Sequence, residues 1–152
     1  METRLTNDPD ATLAQFMEAH GPVIASCYMR WPLRFSPWCE RFWEFWDDGR
    51  LVGWGSIRDE GDGVYSFRLG VWPDAANRGY RLQMRTVLVN AAFENPRCRA
   101  VQTSAQLSNP GQAMRLINAA LPGGFYSSIT GAQKDPPRVG VEITREHWES
   151  QK

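Results

Sequence analysis

The stretch from Val64 to Phe93, VYSFRLGVWPDAANRGYRLQMRTVLVNAAF, constrains the fold most, because it reads as strand, loop and helix in one run. Tyr65, Phe67, Leu69 and Val71 alternate with Ser66, Arg68 and Gly70. That period of two predicts a half-buried strand. Pro73 stops it, since proline cannot donate to a ladder. Asn77-Arg78-Gly79-Tyr80-Arg81 then reads as a loop with a glycine at its turn. Met84, Val87, Leu88, Ala91 and Ala92 follow at the spacing of one buried helix face. Asn95-Pro96 ends the helix. A loop entering a helix N-terminus aims N–H groups and a partial positive charge at one spot, which suits an anion. Arg78, Arg81 and Arg85 add full charges there, the last two one turn apart.

Composition narrows the partners. The 152 residues suit a single domain, expected over 1–152, and 42% hydrophobic with 22% charged residues is an ordinary globular balance. Net charge is zero, so no overall field draws the chain to DNA or acidic membranes. Lys134 and Lys152 are the only lysines; the other cations are arginines. Guanidinium forks suit phosphates and carboxylates, although a GC-rich genome gives the same bias and is the plainer reading. Cys27, Cys39 and Cys98 are widely spaced, and the histidines are His20 and His147. Neither a disulfide framework nor a zinc site is expected, and no metal. No apolar run reaches membrane length and no signal peptide opens the chain, so a cytoplasmic protein is expected.

Taken in order, Arg4-Leu5-Thr6 predicts a short strand. Asp8-Pro9 predicts an N-cap and first helical residue, followed by the stripe Leu13, Phe16, Met17, with Gly21-Pro22 as the stop. Val23 to Arg34 is irregular. Ser36-Pro37 predicts a second helix carrying Trp38, Phe42, Phe45 and Trp46, with Trp43 beside them and Asp47-Asp48-Gly49 at its end. Leu51–Ile57 predicts a strand, and the turn cluster Asp59–Gly63 makes a hairpin with Val64–Trp72. Ala100–Gln106 predicts a strand and Asn109-Pro110 a helix start, with Ala113, Leu116, Ile117, Ala120 and Leu121 as the buried face. Pro122-Gly123-Gly124 stops it. Phe125–Ile129 and Val139–Thr144 predict strands around a polar loop, GAQKDPPR, before the closing Arg145-Glu146-His147-Trp148.

The strand, the loop around Gly79 and the helix after it resemble the acyl-CoA-binding core of the GNAT family of N-acetyltransferases. Gly79 sits on the central glycine of the family's Q/R-x-x-G-x-G/A loop, while Ala76 and Arg81 stand where Gln or Arg and a small residue are usual. LVGWGSI resembles the family's first hairpin strand. SNPGQAMRLINAALPGGF resembles its later Asn-x-x-Ser, helix, Gly-Phe motif. EITREHW resembles the closing strand of the branch that acetylates ribosomal-protein and other N-termini. The resemblance runs from Arg4 to Trp148. It implies an α/β fold with a mixed, mostly antiparallel sheet flanked by helices, in which Val64–Trp72 lies at the centre, parallel to Ala100–Gln106 and diverging from it.

The resemblance also implies an enzyme: an acyl-CoA-dependent N-acyltransferase, moving acetyl from acetyl-CoA to an amine by direct attack. The acceptor would be a small molecule or a protein N-terminus; a homodimer stays open. Carried over, Val71 and Trp72 would face the pantetheine and thioester. Asn77, Arg78, Gly79, Tyr80 and Arg81 would hold the pyrophosphate, and Asn109 would contact the pantetheine, though by itself it reads as a plain helix cap. Where many members carry a Glu as base this chain has Arg68, and Leu116 stands where a Tyr acid is common, with Gln112 in place of the usual Ser. Glu142 and Tyr126 are substitutes for base and acid, against the plainer readings of a solvated strand residue and a core aromatic. Trp31 and Arg34, with Arg68 and Glu142, are the acceptor-pocket candidates; Trp38 and Trp46 read as core. Two other readings stay open. One is a phage-type nucleobase-modifying protein, with Arg30, Arg34 and Arg68 around a flipped base, which zero net charge disfavours. The other is a non-catalytic GNAT-fold binding protein, which the missing acid and base favour.

Overall fold

Strand β4, Val64–Val71, spans the residues its alternation predicts, with Tyr65, Phe67 and Val71 buried. The structure is a computed structural model. It describes residues 1–20, 41–134 and 137–152, with the side chains of His20, Gln106 and 131–134 left aside. The expected stop at Gly21-Pro22, the irregular stretch to Arg34, the helix start at Ser36-Pro37, and Trp31, Arg34 and Trp38 lie outside the described residues. The chain forms two compact units, Met1–Arg58 with Phe67–Ala91, and Asp59–Ser66 with Ala92–Lys152.

In the first unit β1 (Glu2–Leu5) pairs antiparallel with β2 (Arg41–Asp47), which pairs antiparallel with β3 (Arg50–Gly61), the hairpin partner of β4. Helix α1 (Pro9–His20) starts as predicted, Asp8 Oδ1 accepting from Ala11 N at 3.2 Å. Its Leu13 and Phe16 pack with Phe42 and Trp54. Phe42 stacks on Trp54 at 5.4 Å, and Phe16 meets Trp54 and Trp72 edge-on. Helix α2 (Tyr80–Phe93) lies against the other side of β3. A Cβ on Gly55 would touch Leu88 at 2.8 Å and Phe45 at 3.0 Å, and one on Gly53 would overlap Met84. So β3 gives Trp54 to one layer and two glycines to the other, and α2 can sit close to the backbone.

The second helix expected from Phe42, Phe45 and Trp46 is instead the strand β2. Phe42 faces Trp54, while Phe45 faces Gly55 and Leu88, so β2 is covered on both faces. A strand buried on both faces loses its alternation, and its aromatics fell on helical spacing by coincidence. Asp47-Asp48-Gly49 accordingly ends no helix. Asp48 (φ 50°) and Gly49 (φ 74°) form a two-residue hairpin turn with both residues at positive φ, as Asp62 (φ 55°) and Gly63 (φ 77°) do between β3 and β4.

In the second unit β5 (Ala100–Gln106) runs parallel to the start of β4, with Val64↔Ala100, Tyr65↔Val101 and Ser66↔Gln102 in register. β7 (Pro137–Thr144) pairs antiparallel with β5 and with β6 (Ser128–Lys134). The strands therefore pair in the order β1-β2-β3-β4-β5-β7-β6, mixed and mostly antiparallel, with β4 fourth of seven as expected. Helix α3 (Pro110–Ala119) packs on β5 and β7, and α4 (Arg145–Ser150) follows β7.

Three expectations shift here. The strand expected at Phe125 begins at Ser128, and buried Tyr126 sits ahead of it, its N–H donating to Ala119 O at 2.9 Å. The polar loop is mostly ladder: Gly131 to Lys134 on β6 pair with Pro137 to Gly140 on β7. The buried face of α3 holds Ala113 and Leu116, but Leu121 lies past the helix end and is 54% exposed.

Candidate functional site

The link from β4 to α2 opens with a short 3-10 turn, Pro73–Ala75, that the sequence did not announce. Asn77 (φ 62°) and Gly79 (φ 83°) then adopt left-handed backbone on either side of Arg78. Alternation of this kind turns successive N–H groups toward a common side, a concavity suited to anions. Tyr80 opens α2, whose first N–H groups lack intrahelical acceptors. A Cβ placed on Gly79 would meet nothing within 4 Å, so the backbone there stands open to approach. Arg78 is exposed, and Arg81 and Arg85 are half-buried, along the same first turns. The loop and its arginines thus share one unit and one helix start.

Two tethers fix this loop. The Tyr80 hydroxyl donates to Asp47 Oδ2 at 2.6 Å, and Arg50 forms an ion pair with Asp74. The carboxylate of Asp47 raises the Tyr80 pKa above that of an ordinary phenol, since its hydrogen bond favours the protonated form. At the end of β4 the backbone N–H of Trp72 donates to Val52 O at 2.8 Å. That hydrogen bond pairs the residue after β4 with β3 and closes this end of the hairpin. Val71 is buried.

The remaining candidates divide between the units. Arg68, on β4, is exposed. Asn109 stands at the N-cap of α3, yet its side chain makes no capping hydrogen bond; its carbonyl accepts from Ala113 N at 3.1 Å. The plain capping role that the sequence offers is thus not taken up. One turn on, Gln112 Oε1 is buried without a hydrogen-bond partner. Leu116 is 5% exposed core. Glu142 Oε2 accepts from Gln102 Nε2 at 2.9 Å, a cross-strand pair between β5 and β7. Tyr126 is 2% exposed, the core aromatic of the plainer reading. Among the described residues no group of His, Cys, Asp and Glu could hold a metal ion, and no helix is long and apolar enough to cross a membrane.

Sequence reasoning missed the tethers. In the sequence Asp47 reads as a helix end, and nothing in the spacing of Asp47 and Tyr80 signals a contact between them.

The backbone arrangement decides the fold. Among the described residues, the seven-strand mixed sheet with a parallel pair joined by one helix superposes on solved N-acetyltransferases. The chain has the GNAT fold. The structure of AAC(6')-Ib in complex with ribostamycin and coenzyme A superposes with a TM-score of 0.71 at 18% identity, covering 99% of this chain and 96% of that one. Aminoglycoside acetyltransferase AAC(6')-Ib with coenzyme A and kanamycin gives 0.71 at 19% identity, covering 97% and 96%. A variant of the spermidine N-acetyltransferase SpeG from Vibrio cholerae gives 0.73 at 11% identity over 100% of both chains. By sequence, no family model and no curated protein matches. The GNAT likeness is thus carried by the backbone course, and at such identity it speaks for fold alone.

Proposed function

We propose that this chain is an acyl-CoA-dependent N-acyltransferase that moves the acetyl group of acetyl-CoA onto the amine of a small molecule. The observation that carries the reading is the loop Asn77–Arg81 on a GNAT fold: left-handed at Asn77 and Gly79, open over Gly79, and set at a helix start with three arginines. Diphosphate oxygens are the ligand chemistry such a loop suits. Solved AAC(6')-Ib structures of like fold carry coenzyme A or acetyl-CoA with an aminoglycoside, and SpeG of like fold is a spermidine N-acetyltransferase. That favours a small polyamine or amino-sugar acceptor over a protein N-terminus. The reading takes residues 1–152 as a single domain, since β3, β4 and α2 run through both units.

In this reading Asn77–Arg81 hold the diphosphate. The amine nitrogen attacks the thioester carbonyl carbon, a C–N bond forms and the C–S bond breaks. The nitrogen gives up its proton to water, and the CoA thiolate takes one up. Arg68 cannot act as base and Leu116 cannot act as acid, so the rate comes from orientation of the two reactants.

Calorimetric titration with acetyl-CoA tests the first half, and thiol release across a panel of aminoglycosides and polyamines tests the second. Micromolar binding with amine-dependent thiol release is expected. No binding overturns the reading. Binding without release from any amine moves the chain to the non-catalytic class, and retention on DNA at low salt to the nucleobase class.

A further inference from the structure

One hairpin turn holds both ends of the anion-binding loop. Asp47 and Arg50 are register partners flanking the turn Asp48–Gly49. Arg50 reaches Asp74 in the 3-10 turn where the loop leaves β4. Asp47 accepts from the hydroxyl of Tyr80 at 2.6 Å where the loop enters α2. Between these two points lie Asn77 and Gly79 at positive φ, conformations that a free loop of Asn-Arg-Gly would leave readily. We infer that Asp47 and the hydroxyl of Tyr80 are positioning groups for acyl-CoA: they hold the loop's N–H groups in the anion-binding arrangement before the cosubstrate arrives. This rests on the acyltransferase reading.

The physical argument is one of preorganisation. A loop that must be ordered at the moment of binding subtracts its ordering entropy from the affinity. A charged acceptor on a strand end is a rigid anchor, and a hydrogen bond from a hydroxyl to a carboxylate is among the stronger kinds. No part of the Asp47 side chain need touch the ligand.

The test uses the full chain and acetyl-CoA as probe. Tyr80→Phe and Asp47→Ala should each weaken acetyl-CoA binding about tenfold. The double variant should be no weaker than either single one, because both remove the same hydrogen bond. Asp47→Asn, which keeps an acceptor oxygen, should restore most of the affinity. Backbone hydrogen exchange at residues 77–81, measured without ligand, should quicken about tenfold in Tyr80→Phe and Asp47→Ala but not in Asp47→Asn. Effects that add in full, or single variants that bind as the wild type with unchanged exchange, overturn the inference. If wild-type protein binds no acetyl-CoA, the acyltransferase reading fails on that measurement, while the exchange data still decide whether the hairpin holds the loop.

Discussion

Gly70 lies directly against the indole of Trp54: a Cβ at residue 70 would overlap Trp54 Nε1 and stand 2.6 Å from Phe16 Cζ. These rings belong to the aromatic core under α1, and both residues are essentially buried. Neither ring can swing aside as a flexible chain end would. Gly70→Ala should therefore cost about 1–3 kcal/mol by overpacking. Gly79→Ala has open space around it and should cost only about 1 kcal/mol, for holding alanine at φ 83°. Urea denaturation of the two variants checks the order. A Gly70→Ala protein as stable as the wild type would mean that the rings do not pack on residue 70.

Arg81 sits in the first turn of α2, beside the loop, where the GNAT pattern usually has a small residue. Its guanidinium can replace backbone contacts with a charged fork on a phosphate. Arg81→Ala should weaken acetyl-CoA binding by about 1–3 kcal/mol, and the difference should shrink as salt rises. Tighter binding by Arg81→Ala would show that the side chain blocks the loop, and would bring the non-catalytic reading forward.

How far the sequence carried the fold depended on how strands are covered. β4, β5 and α2 are read off almost residue for residue, because β4 alternates, β5 alternates, and α2 has one buried stripe from Met84 to Ala92. β2 fails for a physical reason: with Trp54 on one face and Leu88 beyond the other, every position but the charged ones is apolar, and periodicity vanishes. The site divides the same way. Gly79 and its arginines follow from local chain chemistry. The anchoring of Tyr80 by Asp47 joins residues far apart in sequence, and only the course of the chain brings them together.

Two groups with raised pKa values, Cys98 and Tyr80, weaken the fold at alkaline pH. Cys98 is 1% exposed, and burial pushes its thiol pKa up; Asp47 does the same for the Tyr80 phenol. Both groups are held neutral in the folded chain. Their contribution is fully present below the unfolded pKa of each group, and is lost as pH rises through the raised folded value. Stability should thus be flat through neutrality and fall above the ordinary thiol and phenol ranges, with the Tyr80→Phe variant losing less at the highest pH. In native protein, iodoacetamide should leave Cys98 unmodified at pH 8, as peptide mapping by mass spectrometry would show. Rapid labelling at Cys98 would mean that the packing of Arg145 and Phe93 around that segment opens readily.

The pH dependence of the reaction follows from what β4 and α3 lack. Arg68 is exposed on β4 and Leu116 is buried in α3, so neither strand nor helix offers a proton acceptor or donor at the positions where GNAT enzymes often have one. The carboxylate of Glu142 accepts from Gln102 at 2.9 Å, a cross-strand pair between β5 and β7. The amine must arrive neutral, and only its own pKa sets that fraction. With a polyamine or aminoglycoside acceptor, kcat/KM should climb tenfold per pH unit below the amine's pKa and level off above it. Glu142→Gln should leave that shape intact. An acidic limb in the carboxylate range that vanishes in Glu142→Gln would identify Glu142 as the base and replace catalysis by orientation with general-base catalysis.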